Sequence, residues 1–285
     1  MPALIRHLLY GAFIEKRWRI ATVAVGECAS PLDALEEAGR SRWDVFPLPD
    51  GVTFLADGFF APDGAILCEA MDARSAKGRL FRFSDNQTQA LTEAGHVWSY
   101  PFVLDDLVLP ETATWRAPAA YRLSPDGAEK AFDLQFDRPE RLIDPTFFAH
   151  DGRVFLFANR LEEGADCLRL WVAPSLDGRF EEHPASPIHR SKRGSRMAGR
   201  VMRWNEGLFR LGQDWREHYG DGLIAFRITE LTLDRYAEEE VGDFHFDHVK
   251  GPHTLDLRDN RLLFDYYEHR FSWLAGWRRF KGRRT

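Results

Sequence analysis

His96–Glu111 reads HVWSYPFVLDDLVLPE: an apolar strand opening on a polar tip (Trp98, Ser99, Tyr100), an acidic turn at Asp105 and Asp106, and a second strand ending on Glu111. Apolar runs on either side of a short polar turn make this a β-hairpin. The plan returns as FLADGFFAPDGAILCEA at 54–70, where Asp57 opens the first strand, Pro62-Asp63-Gly64 turns the chain and Glu69 closes the second. It returns as DPTFFAHDGRVFLFANR at 144–160, RMAGRVMRWNEGLFRLGQD at 196–214 and PHTLDLRDNRLLFDYY at 252–267. The turns there fall at Asp151-Gly152, Asn205-Glu206-Gly207 and Asp259-Asn260.

The openings at Asp57, Tyr100, Asp144, Gly199 and His253 lie 43, 44, 55 and 54 residues apart. That is the length of a four-stranded propeller blade with its loops. An outer pair of strands follows each of the first four hairpins, as in CLRLWVAPSLDGRFEEHP after the third. The chain is therefore read as all-β, a five-bladed β-propeller forming one domain over 1–285, with its core at about 18–270. EKRWRIATVAVGE supplies an N-terminal strand that pairs with the last strands and closes the ring. SPLDALEEAG, Ser30–Gly39, is a short helical insertion: Ser30 caps it, Pro31 takes the first position and Gly39 stops it. Residues 1 to about 15 are a short helix or edge segment, too polar and too short for a spanning helix.

In a propeller the first strand of each blade lines a central axis, so the polar openings of five distant segments converge. The residues brought together are Asp57, Ser99, Tyr100, Asp144, Arg196, Arg200 and His253, with Glu69, Glu111, Gln213 and Asp214 at the ends of second strands. An aspartate at Asp57 or Asp144 can carry chemistry, or pin backbone N–H groups. Arg196 and Arg200, four apart in a strand, share a side and suit a phosphate or carboxylate clamp, or pair with the acids. His253 is a general acid/base or a packed donor. Gln213 and Asp214 suit sugar hydroxyls.

A net charge of −6 argues against a nucleic-acid partner, which needs a basic face. Cys28, Cys68 and Cys167 lack a CxxC pair and read as reduced thiols, which favours a cytoplasmic setting. His245 and His248 are three apart, on opposite faces of a strand, so no metal site is expected there. No glycine-rich phosphate loop or nucleophile elbow appears, and no cofactor is expected. The tail from 271 places five basic residues between Arg278 and Arg284. With Trp273 and Trp277 they either touch acidic lipid headgroups or a partner, or form a solvated end.

The series FLADGFF, SYPF followed by PE, DPTFFAHDGRVFLFA, and RMAGR to QDW to YG to ELT resembles the propeller found at the N-terminus of plant glucosamine inositolphosphorylceramide transferases and in bacterial proteins of polysaccharide loci. The resemblance runs from about Trp18 to Tyr267. It implies a five-bladed propeller distantly similar to glycoside hydrolases, whose channel carries a base or nucleophile, an orienting carboxylate and an acid. Asp57 matches the first-blade position and Asp144 a third-blade one. The fourth blade offers Arg196, Gly199 and Arg200 in place of an acid, a departure from ordinary hydrolysis, with Glu111 and Glu69 as candidate replacements. The function expected is engagement of a glycan or sugar-phosphate at the channel, in polysaccharide or glycolipid assembly, beside a partner glycosyltransferase. The catalytic set would be Asp57, Glu111 and Asp144. The alternative is a non-catalytic module for a glycan or partner.

Overall fold

The computed structural model describes residues 10–282, apart from 76, 85, 86, 94, 125, 126, 206 and 217. Five sheets form the blades of a propeller. Blade 1 holds Val52–Phe60, Ile66–Asp72, Gly78–Ser84 and Gln87–Ala90; blade 2 holds Ser99–Leu104, Leu107–Glu111, Ala119–Ser124 and Gly127–Asp133. Blade 3 holds Leu142–His150, Arg153–Arg160, Cys167–Ala173 and Arg179–Glu182, with two short additions. In blade 4, Arg193–Met197 and Met202–Trp204 share the inner position, followed by Gly207–Asp214, Gly222–Leu231 and Tyr236–Phe244. Blade 5 joins Leu255–Arg258 and Arg261–Phe271 to the N-terminal strand Ile14–Ala24 and to Asp44–Val45. Closure is as the sequence predicts: Ile14 pairs with Phe271, Trp18 with Tyr267 and Ala24 with Arg261.

The turns owe their shape to Asp and Asn. Asp105, Asp151, Asn205, Asp259 and Asn260 all have positive φ, a region these two tolerate because their short side chains bond the local backbone. Glu206, placed in the fourth turn, lies outside the described residues.

The same conformation recurs along the axis. Asp57 does not open its strand, as the hairpin pattern suggests; the strand begins at Val52, and Asp57 (φ 52°) sits in a bulge where pairing slips between Ala56 and Phe59. Tyr100 (φ 42°) and Asp144 (φ 47°) occupy the matching slips of blades 2 and 3. Gly199 (φ 116°) fills the break between Met197 and Met202 in blade 4. In blades 1 to 3 the bulge re-aims a side chain toward the axis, the usual use of such an irregularity.

Blades 1 to 3 share a core that includes Phe59, Tyr100, Phe102, Phe147 and Trp171. Blades 4 and 5 share a second, with Leu211, Leu223, Leu255 and Phe264, into which the helix Pro31–Arg40 inserts Ala34, Leu35 and Ala38. That helix is capped by Ser30, whose hydroxyl accepts from Asp33 N at 3.2 Å. It runs one residue past Gly39, because the Ser41 backbone N–H caps Ala38 O. Cys28, Cys68 and Cys167 are free thiols. No helix among the described residues is long and apolar enough to cross a membrane.

Candidate functional site

The axis has two ends: an upper one at the bulges and a lower one at the hairpin turns. At the upper end, Asp144 N donates to Glu111 Oε2 at 3.0 Å. The Asp144 carboxylate accepts from Arg196 through Nε and Nη2, and from Gln213 Nε2 at 3.0 Å. On the other side of the axis, Asp57 N donates to Asp265 Oδ2 at 3.1 Å and Thr254 Oγ1 donates to Asp57 Oδ1 at 2.6 Å. His253 Nε2 lies 3.5 Å from Asp57 Oδ1 and 3.0 Å from Tyr219 Oη. Its Nδ1 stands 2.6 Å from Asp265 Oδ2 as an ion-pair contact, off the line of a hydrogen bond. Glu69 is paired across from Ala56, and Glu111 across from Ser99.

Five carboxyl groups thus face one arginine and one histidine, largely out of water. Burial pushes Glu111 up to about 8, with the Asp144 carboxylate adding to the rise and Arg196 opposing it. Glu69 is held well above the carboxylate range by burial, then by Asp57 and Glu111. Asp57 is raised by burial, against the pull of His253. Burial disfavours the charge on Arg196, but Asp144 outweighs it and drives the guanidinium further up. His253 is likewise raised, because Asp265 and Asp57 overcome its burial. At neutral pH the cluster therefore contains a protonated Glu111 beside a bidentate arginine–carboxylate pair. Glu111 is only partly buried, Arg196 has a side chain 21% exposed, and Tyr219, 39% exposed as a residue, packs its ring 5.1 Å from the Arg196 guanidinium.

Other residues singled out from sequence go elsewhere. Tyr100 is fully buried: its hydroxyl accepts from Gly199 N at 2.9 Å and meets Thr146 Oγ1 at 2.8 Å, tying blades 2, 3 and 4 across the axis. Arg196 and Arg200 do not share a side, because the strand breaks at Gly199 between them. Arg200 turns to the lower end, donating to Asp256 Oδ1 at 2.7 Å, to Phe60 O at 3.1 Å and to Val103 O. Asp214 pairs with Arg193 and Arg216 and lines a surface pocket with Asp221, His245 and Lys250. Ser99 stays half-buried in its strand.

Sequence reasoning missed Tyr219, Thr254, Asn159 and Asp265. Asp265 had a signal, a lone charge inside the apolar run LLFDYY. It holds one polar position repeated in every blade's second strand: Glu69, Glu111, Asn159, Gln213 and Asp265. Three of these reach the next blade's inner strand, with Glu111 accepting from Asp144 N, Asp265 accepting from Asp57 N and Asn159 Nδ2 donating to Ser195 O at 3.2 Å. Asp57, His253 and Asp265 bring ligand atoms within 4.8 Å of one another, a spacing a metal ion accepts. The Asp265 carboxylate already takes three backbone N–H groups, from Asp57, His253 and Thr254, so this trio is a staple between blades.

Comparison with known proteins supports the propeller fold. Among solved structures, the catalytic domain of the Coprinopsis cinerea GH62 alpha-L-arabinofuranosidase superposes with a TM-score of 0.52 at 11% identity, covering 78% of this chain and 95% of that one. The Bacteroides ovatus xyloglucan PUL GH43B gives 0.51 at 10% identity, covering 76% and 51%. At such identity these likenesses speak to the fold alone. Curated relatives named glucosamine inositolphosphorylceramide transferase 1 are 33% identical over 164 residues in Oryza sativa subsp. japonica and 31% over 163 in Arabidopsis thaliana. Each match covers 53% of this chain, but only 22% and 21% of the respective relative. Residues 85–261, which include Glu111, Asp144, Arg196, Gln213 and His253, match the family model described as glucosamine inositolphosphorylceramide transferase 1, N-terminal, and the chain belongs to that family.

Proposed function

We propose that this chain engages a glycan or activated sugar at the upper end of its propeller axis, in the assembly of a polysaccharide or glycolipid. The observation that carries the reading is the convergence of Glu111, Asp144, Arg196 and Gln213 from three blades on one end of the axis, with the Glu111 carboxyl pushed up to about 8 by burial and by Asp144. Transfer or hydrolysis at an anomeric carbon needs one carboxyl that gives a proton and one that takes it. Glu111 would protonate the leaving oxygen as its bond to the anomeric carbon breaks. Asp57 would take the proton from the water or hydroxyl whose oxygen forms the new bond. Arg196 anchors an anionic or hydroxyl-rich part of the ligand.

A second reading has its own support. Asp57 and Asp144 are both held in bonds between blades, which a non-catalytic module would need as much as an enzyme. The matched segment is about a fifth of each curated relative. In this reading a partner glycosyltransferase performs the chemistry and the propeller presents the glycan.

Calorimetric titration with a panel of free monosaccharides and UDP-sugars tests both. Arg196→Met should weaken the best binder about tenfold or more, whereas Arg200→Met should leave affinity unchanged in the folded protein. Loss of turnover in Asp57→Asn with affinity retained selects the enzyme, and binding without turnover selects the module. No binding by any member of the panel would sink both.

A further inference from the structure

Among the described residues, nine large apolar side chains are exposed, and five of them fall within ten positions: Phe271, Trp273, Leu274, Trp277 and Phe280. They cover the end of the strand Arg261–Phe271 and the helix Ala275–Gly282. Phe13 joins them, stacking on Phe271 at 5.9 Å and meeting Trp273 edge-on at 5.5 Å, while Ser272 N donates to Phe13 O at 2.7 Å. Arg278 anchors the helix to Glu15 at 2.9 Å. The apolar edge is therefore fixed to the closing blade, not left as a loose end.

The sequence that follows His269 is one-sided in charge, with Glu15 pairing Arg278 at the edge itself. The chain carries a net −6, yet residues 269–285 contain Arg270, Arg278, Arg279, Lys281, Arg283 and Arg284 and no Asp or Glu. Exposed Trp and Phe beside concentrated Lys and Arg make up an interfacial anchor: the rings enter the headgroup region and the cations meet its phosphates. A second copy would present the same basic sequence to this edge, like charge against like charge, whereas an anionic bilayer presents the opposite sign. We propose that the edge formed by Phe13 and Phe271–Phe280 seats on an anionic bilayer surface.

The orientation matters for the rest of the molecule. Phe271 lies six residues beyond Asp265 on a strand running from the lower to the upper end, a span of about 20 Å. Seating this edge brings the upper end of the axis, with Arg196 and Tyr219, to the membrane side. The proposal does not depend on the sugar reading, and its test uses no sugar.

Sedimentation of the whole chain with vesicles provides that test, comparing phosphatidylcholine alone with phosphatidylcholine containing about a third phosphatidylserine. Binding to the anionic vesicles should be at least tenfold tighter and should fall with added salt. Trp273→Ala with Trp277→Ala should reduce it about tenfold. Arg279→Glu with Lys281→Glu should reduce it about 25-fold or more, at roughly fivefold per charge lost. Because these apolar side chains are exposed, melting temperatures should stay near that of the parent. Equal binding to both vesicles, or none to either, overturns the proposal. So does a concentration-dependent dimer that the tryptophan variants abolish, which would make the edge a contact between copies.

Discussion

The two ends of the axis are built from the same residue types and solve opposite problems. At the lower end Arg200 pairs with Asp256, and Arg258 beside them donates to Ala61 O and Pro62 O. Asp256 accepts from Arg200 at 2.7 Å, Phe60 N at 2.8 Å and Leu257 N at 3.0 Å, while the Arg200 guanidinium lies 5.7 and 5.2 Å from the rings of Phe59 and Phe102. At the upper end five carboxyls share Arg196 and His253, and burial pushes Glu69 and Glu111 toward their protonated forms. A fold needs only the first arrangement. The second spends stability on carboxyl groups pushed toward their protonated forms, the pattern expected of a site.

The largest expected effect lies between the two ends. A Cβ on Gly199 would lie 1.9 Å from Leu255 O, and its φ of 116° is already costly for other residues. Gly199→Ala should cost about 4 kcal/mol or more, or prevent folding, read as loss of the cooperative melting transition. Next is Arg200→Met, which leaves Asp256 buried without its partner and should cost about 3–5 kcal/mol in denaturant unfolding. If Arg200→Met proved mild and abolished ligand binding, the assignment of the two ends would be reversed.

Proton linkage sharpens the contrast. The folded-state pKa of Glu111, about 8, lies above its unfolded value, so its contribution to stability is complete below the unfolded pKa and is lost as pH rises toward 8. Asp57, Glu69 and His253 are raised as well and act in the same direction. Unfolding free energy should therefore fall between about pH 5 and 8, and Glu111→Gln should flatten that slope while Arg200→Lys leaves it in place. The smallest effect compares two left-handed aspartates. Asp105 (φ 50°) sits in a lower hairpin turn where only the backbone shape matters, so Asp105→Gly should change stability by no more than about 0.5 kcal/mol. Asp57 (φ 52°) has the same backbone, but its carboxylate accepts from Thr254, and Asp57→Gly should cost several times more.

The blades were legible because hairpin turns and alternation are local: Asp105-Asp106 and Asp151-Gly152 announce themselves within a few residues. The closing pair, Trp18 with Tyr267, was legible because a ring needs one. Which side chains meet at the axis was less so. The bulge at Gly199 separates Arg196 from Arg200 in a way that strand alternation hides. Tyr219 comes from a loop between blade strands and has no periodic signature. Asp265 was visible as a charge in an apolar run, yet its three backbone N–H partners come from two distant segments.

The most direct test of the contrast between the ends is a carboxyl-carbon NMR titration of the folded chain, with Glu111 assigned by comparison with Glu111→Gln. The Glu111 carboxyl is expected to titrate near 8 and to shift when a sugar ligand binds. A Glu111 that titrates with the exposed glutamates, near 4 to 5, would contradict it.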